Sequence, residues 1–467
     1  MNFFPVQSVQ VKNSKYRKAA ILFLFSLLLL TVVVYILQPP FANVSMALFY
    51  FIVVLAGLAN FIYFKTKKKV NYLDFDTIFI FIFCLVGFST TFFYEDRLLY
   101  RALFLGFPVS DLFVNRGNLL FLIGLFGYLI GSLSVPDYLI ISKYYNRMII
   151  NSFVPSVILL FSIVLFVLSG GISFYMDVYT GGEAVPGISL HILLVIICTG
   201  TVLIATELYN KRNLFSYKIK KISIVSIFLF ALVLMLIGNR TASSQLFLAF
   251  LGVYTMFFLN LDFKKFCIFL LLAIFSMWII QNTRANYEID ISAPILVISD
   301  LTIPSRQTYA AIEYVYRNGL TYGRTMSLGI IGLVPFLPSI LLGDNVRYFS
   351  TGMLLTERTF EQMNMQVEIG LGSTIIADIY LSFGLLGVIF LMFLLGYFVN
   401  KLYVNSMNNE YYSLIVLSVM LSNSVFIVRD SYLFPLRFIV WSVIIASINI
   451  FFISTLKINQ KVTRYFL

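Results

Sequence analysis

Long apolar stretches separated by short polar connections run along almost the whole chain. A transmembrane helix needs roughly 20 mostly apolar residues to cross the hydrocarbon core of a bilayer, and twelve stretches approach or exceed that length. They cover approximately 19–37, 45–64, 77–93, 118–134, 149–169, 187–208, 222–238, 243–261, 266–281, 376–399, 411–428 and 438–456. The pattern predicts an all-α integral membrane protein with about 12 transmembrane helices, forming one polytopic domain over residues 1–467.

The composition supports this fold class. Of the 467 residues, 60% are hydrophobic and only 12% are charged, which is too apolar for a soluble globular domain. The first stretch is longer than the apolar core of a cleavable signal peptide, so we expect it to be retained as the first helix. All three cysteines fall within predicted helices, so neither a disulfide framework nor a zinc site is expected.

The charges indicate an orientation. Lys and Arg favour the cytoplasmic side of short loops, and with both termini in the cytoplasm all 17 lysines fall on that side. The net charge of +12 then follows from topology and from attraction to anionic lipid of the inner leaflet, and no nucleic acid is expected as a partner. The basic residues predicted outside are all arginines: Arg97, Arg101, Arg116, Arg240, Arg284, Arg306, Arg317, Arg324, Arg347, Arg358, Arg429 and Arg437.

An outer surface with arginine and no lysine suggests phosphate or carboxylate held near the membrane, because guanidinium binds such oxygens bidentately. The alternative is that these arginines pair with outer acids. Arg240 and Arg284 lie at the outer ends of the seventh and ninth predicted helices, and Arg429 and Arg437 bracket the short turn 430–435. Charges at membrane depth are functional candidates, although snorkelling at a helix end is the common alternative.

One extended connection, residues 282–375, separates the ninth and tenth predicted helices. Connections of this length are usually functional or disordered, and its content of Tyr, Ile and Leu argues against disorder. It contains a helix-like stretch from about Ser305 to Arg317 and an apolar run, Met326–Gly343, broken by Pro335 and Pro338. If that run crossed the bilayer, the later lysines would face outward, so we interpret it as an interfacial or re-entrant element.

Two carboxylates near this connection are the main candidates for a general base. Asp378 lies one turn into an apolar helix, where a buried acid needs a partner, and Glu368 precedes the break at residues 370–372. For both, the non-catalytic alternative is an ion pair with arginine. The sole histidine, His191, is interpreted as a packing residue. The sequence contains no metal cluster and no phosphate-binding glycine loop, so no metal or other cofactor is predicted.

Three groups of residues together resemble a known family, the bacterial oligosaccharide repeat-unit polymerases of O-antigen and capsule assembly, called Wzy proteins. They are Gly238-Asn239-Arg240, then Asp300, Arg306 and Tyr322-Gly323-Arg324 followed by 330–338, and then Gly372-Ser373, Asp378-Ile379-Tyr380, Phe383-Gly384 and Gly387. The resemblance implies a GT-C-like helical fold in the bacterial inner membrane, with the active site on the periplasmic side and a large periplasmic loop between the ninth and tenth helices. It also implies a metal-independent glycosyltransferase that moves a growing glycan from undecaprenyl diphosphate onto a new lipid-linked repeat unit.

The resemblance also implies roles for individual residues. Diphosphate binding is expected from Arg240, Arg284 and Arg306, with Arg324, Arg429 and Arg437 as further candidates, while Asp378 or Glu368 would be the base. Beyond the lipid-linked oligosaccharide and membrane lipids, a chain-length-determining co-polymerase is an expected partner.

Three alternatives stay open. O-antigen ligases carry a His-Asn pair where this chain has Ser373-Thr374, which favours a polymerase over a ligase. A flippase for the lipid-linked oligosaccharide would also need outer arginines, but the middles of the predicted helices are almost free of charge. A non-catalytic scaffold would leave the arginine distribution without a cause.

Overall fold

A computed structural model describes residues 14–69, 71–94, 111–136, 149–180, 188–213, 217–219, 221–284, 301–364 and 370–465. Within these residues all regular structure is helical, without strands. The α-helices are α1 Ser14–Leu37, α2 Met46–Lys67, α3 Phe75–Phe92, α4 Val114–Ser134, α5 Phe153–Leu168, α6 Gly171–Thr180, α7 Ile188–Asn213, α8 Lys221–Leu236, α9 Arg240–Phe258, α10 Phe263–Arg284, α11 Arg306–Asn318, α12 Ser327–Ile331, α13 Leu337–Leu342, α14 Thr351–Gln362, α15 Ile375–Met407, α16 Tyr411–Ser422, α17 Phe426–Arg429 and α18 Leu436–Tyr465.

The helices are those of a multi-pass membrane protein. Each of the twelve predicted stretches overlaps a helix, and six of the described helices are long and apolar enough to cross a membrane: α1, α2, α4, α7, α9 and α15. Five shorter apolar helices or helix portions lie in α3, α5, α8, α16 and α18. The apolar pattern did not predict α6 or α14. The number of twelve spans and the GT-C-like arrangement stay predictions.

Helix α15 is interrupted at Gly384, where φ is 65° and ψ is −157°. The predicted tenth span, 376–399, lies within α15, which is long and apolar enough to cross a membrane, but the apolar pattern did not predict the interruption. A break in a helix frees backbone groups that need other partners. Here the carbonyl oxygen of Leu381 accepts hydrogen bonds from the backbone N–H of Thr321 at 2.9 Å and from its hydroxyl at 3.2 Å. The arm before the break, residues 375–383, is thereby tied to the long connection.

Helix α4 is nearly all buried and packs closely against α15. Small residues at such crossings let two helix backbones approach each other. Gly131 of α4 faces the carbonyl of Phe393, and Gly396 of α15 faces the carbonyl of Tyr128. A Cβ at either glycine would overlap the facing oxygen, so this crossing depends on the absence of side chains.

We expect Gly131→Ala to push α4 and α15 apart and to destabilise the protein by about 1–3 kcal/mol, the usual cost of overpacking. The measurement is the melting temperature of the purified protein in detergent. Gly57→Ala in α2 is the matched control, because a Cβ there meets no atom within 4 Å. Equal melting temperatures for the two variants would contradict this description of the crossing.

The long connection is folded over its described residues. Helix α11 confirms the helix predicted from about Ser305 to Arg317. The run Met326–Gly343 forms α12, a turn and α13, of which neither helix is long enough to cross a bilayer, as predicted. The run packs against α18, where the indole N–H of Trp441 donates to the carbonyl of Leu333 at 3.1 Å. It also reaches α7, where the His191 ring lies 4.4 Å from the ring of Phe336, in agreement with a packing role for this histidine.

The bundle end opposite Asp378 contains a buried charged network. Lys69 Nζ lies 2.5 Å from Asp74 Oδ2 and 3.3 Å from Asp76 Oδ2, and Lys67 donates to Asn400 Oδ1 at 2.7 Å. From the sequence alone, the excess of positive charge on this side as a whole is related to anionic lipid. The structure corrects this for Lys69, whose side chain is only 7% exposed, because ion pairs with two nearby acids replace its hydration.

Candidate functional site

The arm 375–383 of α15 packs with α11 and α14 at one end of the bundle. We call the place where these three helices meet the helix junction. A small apolar cluster holds it together, consisting of Ala311, Leu354, Leu355, Ala377 and Leu381. The hydroxyls of Thr308 and Thr374 share a hydrogen bond of 2.7 Å beside this cluster. Thr374 also caps α15, since its hydroxyl accepts from the backbone N–H of Ala377 at 3.0 Å.

Asp378 lies at the helix junction and is completely buried. Its Oδ1 accepts a hydrogen bond from the Thr351 hydroxyl at 2.6 Å, and its Oδ2 accepts one from the backbone N–H of Tyr432 at 3.0 Å. Among the described residues, the partners of Asp378 are thus a hydroxyl and a backbone amide. The predicted alternative, an ion pair between Asp378 and an arginine, is not found among them. The position in the first turn of α15 also favours negative charge, because the N-terminal end of a helix carries partial positive charge.

Three distant parts of the chain converge beside Asp378. Gly372 lies between the ring of Pro304 and the backbone carbonyl of Arg429. A Cβ atom added at Gly372 would lie 3.3 Å from the proline ring and 3.4 Å from the carbonyl oxygen. The backbone N–H of Ser373 donates to that same carbonyl at 3.4 Å. Gly372 has a φ of +69°, which favours glycine. Segments 304–306, 372–374 and 429–432 therefore meet at one place.

Arg306 and Arg429 belong to two of these segments, and Arg437 follows the third by five residues in the chain; we call these three arginines the arginine cluster. Arg306 follows Pro304 by two residues and is 5% exposed. Burial lowers its pKa to about 10, so it remains protonated at neutral pH. Arg429 and Arg437 both act electrostatically on Asp430, which lies between them in the chain. The Arg437 guanidinium also lies 5.9 Å from the ring of Phe438.

The other predicted site residues either lie on other elements or have side chains outside the described residues. Arg240 begins α9, whose Gln245 donates to Asn423 Oδ1 at 2.8 Å, so Arg240 lies at the same end of the bundle. Arg324 is exposed and lines a separate cavity. Arg284 ends α10, but its side chain lies outside the described residues, as does Glu368. The predictions for these last two stay untested.

The sequence pattern missed two polar residues of the helix junction, Thr351 and Gln307. Gln307 is completely buried, and among the described residues neither of its amide atoms has a hydrogen-bond partner. Buried polar atoms are usually satisfied, so such a side chain calls for an explanation. A signal was present in the sequence, because Ser305-Arg306-Gln307-Thr308 is a polar run that opens a predicted helix.

Helical spacing gives the level of Gln307 within the junction. Helices α11 and α14 run side by side in the same direction, since Ala311 packs with Leu354 and Leu355 while Arg358, farther along, lies over the ring of Tyr314 at 4.4 Å. One turn before these contacts, α11 has Gln307 and α14 has Thr351. The side-chain amide of Gln307 is thus at the same height along the two helices as the Thr351 hydroxyl that binds Asp378. Such a pair of groups can receive two hydroxyls of one ligand.

Comparisons with protein-family models, with curated proteins and with solved structures each found no match. The family resemblance therefore rests on the residues quoted for it, and the chemistry of the helix junction and arginine cluster is the basis for a function.

Proposed function

We propose that this protein is a membrane glycosyltransferase that polymerises oligosaccharide repeat units carried on undecaprenyl diphosphate. The observation that carries the proposal is the meeting of segments 304–306, 372–374 and 429–432 beside the buried carboxylate of Asp378, which brings the chain at Arg306 and Arg429 to that place. It lies at the end of a bundle of apolar helices, where a substrate with a lipid tail and a charged head would present its diphosphate. Arginine suits this head group because it binds phosphate oxygens bidentately.

The reaction needs a leaving group, a base and no redox chemistry. An acceptor hydroxyl attacks the anomeric carbon of the donor glycan, and the bond from that carbon to the diphosphate oxygen breaks. The proton of the hydroxyl passes to Asp378, and undecaprenyl diphosphate leaves with both bonding electrons. The arginine cluster stabilises the charge that develops on the diphosphate.

Thr351 marks the place of the acceptor. Its hydroxyl now donates to Asp378 at 2.6 Å, which is the hydrogen bond that a sugar hydroxyl would make before losing its proton. We propose that the acceptor displaces Thr351 from Asp378 and that the amide of Gln307 binds a neighbouring hydroxyl of the same sugar. Binding then satisfies a polar group that is otherwise buried without a partner.

The location and partners are part of the same proposal. The lysine distribution supports a bacterial inner-membrane protein with both termini in the cytoplasm and the helix junction on the periplasmic side. A separate co-polymerase would set chain length. Ser373-Thr374 stands where the resembled ligases carry His-Asn, and Thr374 caps α15 instead of offering a catalytic histidine.

The direct test is to incubate the purified protein in lipid vesicles with lipid-linked repeat units and to separate the products by size. A ladder of oligomers supports the polymerase. A single addition onto a preformed glycan core would identify a ligase, and movement of the unit between leaflets without new glycosidic bonds would identify a flippase.

Within this assay we expect Arg306→Gln to reduce the rate of chain growth by about 10²–10³, the usual effect of removing one donor to developing negative charge. The matched control is Arg317→Gln in the same helix, because Arg317 is exposed and pairs with Glu313 at 2.7 Å. Unchanged growth with Arg306→Gln would remove this residue from the site.

A further inference from the structure

A cavity of about 350 Å³ lies within the long connection, away from the helix junction. Its position is set by the turn Arg324–Met326 on one side and by α13 with the following turn Gly343–Phe349 on the other. The volume is in the range of small-molecule sites. The lining residues are Arg324, Leu341, Leu342, Asn345, Tyr348 and Phe349.

The walls combine one positive charge with apolar surface. Leu341, Leu342 and Phe349 supply the apolar side, and Asn345 and Tyr348 add neutral polar groups. Among the described side chains, none forms an ion pair with Arg324, since no carboxylate oxygen lies within 4 Å of its guanidinium nitrogens. The other arginine of this region, Arg347, is bound by Glu357 at 2.5 Å. Arg324 is thus the group that gives the cavity its positive charge.

Exposed apolar side chains surround the cavity. Ile340 and Leu341 of α13 are 76% and 61% exposed, and Ile330 of α12 is also exposed. A Cβ atom added at Gly323, next to Arg324, would lie 3.1 Å from the exposed ring of Phe383 on α15. A patch of this kind would be unfavourable in water and fits a lipid surface. The exposed apolar side chains near the cavity therefore favour lipid over water as its neighbour.

We propose that this cavity binds one anionic phospholipid, with the phosphate on the guanidinium of Arg324 and the first part of the acyl chains between Leu341, Leu342 and Phe349. Arginine has the bidentate geometry for phosphate. The apolar walls distinguish a lipid from a free anion, because a soluble phosphate would leave them unfilled. This site is independent of the proposed reaction, since none of its lining residues belongs to the helix junction.

Binding of a phospholipid in the cavity is expected to stabilise the arm 375–383 of α15. The turn that carries Arg324 is bonded to that arm through Thr321 and Leu381, and through the hydroxyls of Thr325 and Ser382 at 3.2 Å. A ligand that binds the folded state stabilises it in proportion to its affinity and concentration. Bound phospholipid would therefore be measurable as a rise in melting temperature.

The experiment uses the full-length protein, delipidated in detergent, with phosphatidylglycerol, phosphatidylcholine or inorganic phosphate added separately. We expect phosphatidylglycerol to raise the melting temperature and to remain bound in native mass spectrometry as one molecule per chain, while the other two do neither. An equal effect of phosphatidylcholine would overturn the role of charge. An equal effect of inorganic phosphate would show a plain anion site and would overturn the lipid.

Two variants locate the site. Arg324→Gln should weaken phosphatidylglycerol binding about tenfold or more, since a charge-assisted hydrogen bond is lost. Arg347→Gln, in the same connection, should bind as the unchanged protein does, because Arg347 lies beside Glu357. If Arg324→Gln is folded and binds the lipid with unchanged affinity, the proposal is wrong. Leu341→Gln gives a second test. It replaces part of the apolar wall by a polar amide, so it should also weaken phosphatidylglycerol binding.

Discussion

Asp378→Asn should abolish chain growth while the protein remains folded. A general base contributes about 10²–10⁴ to a rate, and asparagine cannot take the proton of an acceptor hydroxyl. The amide can keep both present contacts, because its oxygen can accept from the backbone N–H of Tyr432 and its NH₂ group can donate to the Thr351 hydroxyl. The measurement is the rate of ladder formation in lipid vesicles, together with the melting temperature.

Thr351→Val is the control for this experiment. It removes the hydroxyl that occupies Asp378 Oδ1 but leaves the carboxylate, so chain growth should persist. Normal ladders from Asp378→Asn would show that the buried carboxylate only anchors α14 and the turn at Tyr432 to α15. The proposed function would then need another base, with Glu368 as the remaining candidate.

Asp76→Ala should be the most destabilising single substitution at the opposite end of the bundle. Asp76 is 7% exposed and its Oδ2 lies 3.3 Å from Lys69 Nζ. The Tyr63 hydroxyl donates to it at 2.5 Å, Asn400 Nδ2 donates at 3.1 Å, and the Tyr128 hydroxyl also binds it. Removing one partner of a buried ion pair costs about 3–5 kcal/mol. Here the change leaves Lys69 with Asp74 alone and removes the acceptor of two tyrosine hydroxyls and of the Asn400 amide.

The matched control is Asp262→Ala. Asp262 pairs with Lys265 at 3.7 Å, but both side chains are more than 60% exposed, and such surface pairs contribute only about 0–1 kcal/mol. We expect a large fall in melting temperature and in yield of folded protein for Asp76→Ala and almost none for Asp262→Ala. Similar melting temperatures would mean that the network around Asp76 does not hold α2, α3, α4 and α15 together.

Hydropathy alone predicted where the long helices lie, because a run of apolar residues needs an apolar environment whatever its neighbours are. The prolines predicted that the run Met326–Gly343 is broken. Pro335 does lie between α12 and α13, whereas Pro338 lies in the first turn of α13, where proline is tolerated. Hydropathy failed at Gly384. Glycine is common in membrane helices, and the Leu381 carbonyl beside the break is bound by Thr321, which lies 60 residues before Leu381 in the chain.

For the candidate site, the residue types were predictable and the groupings were not. The outer surface with arginine and no lysine predicted Arg306, Arg324, Arg429 and Arg437 as site residues. The structure places Arg324 in the lining of a cavity that is separate from the helix junction. The sequence did not predict Gln307 and Thr351 as site residues, because the role of a neutral polar residue depends on its burial and on the group beside it.

The sequence by itself determined the all-helical membrane class, the approximate helix positions and the folded, non-spanning character of the long connection. These follow from local properties, namely apolar length and the backbone limits of proline. Only the tertiary structure decided which charges are buried and what satisfies them. Asp378 is bound by Thr351 and Tyr432, and Asp76 by groups up to 324 residues away. Such partners are set by helix packing, which apolar periodicity does not specify, because many arrangements of the same helices bury equal apolar surface.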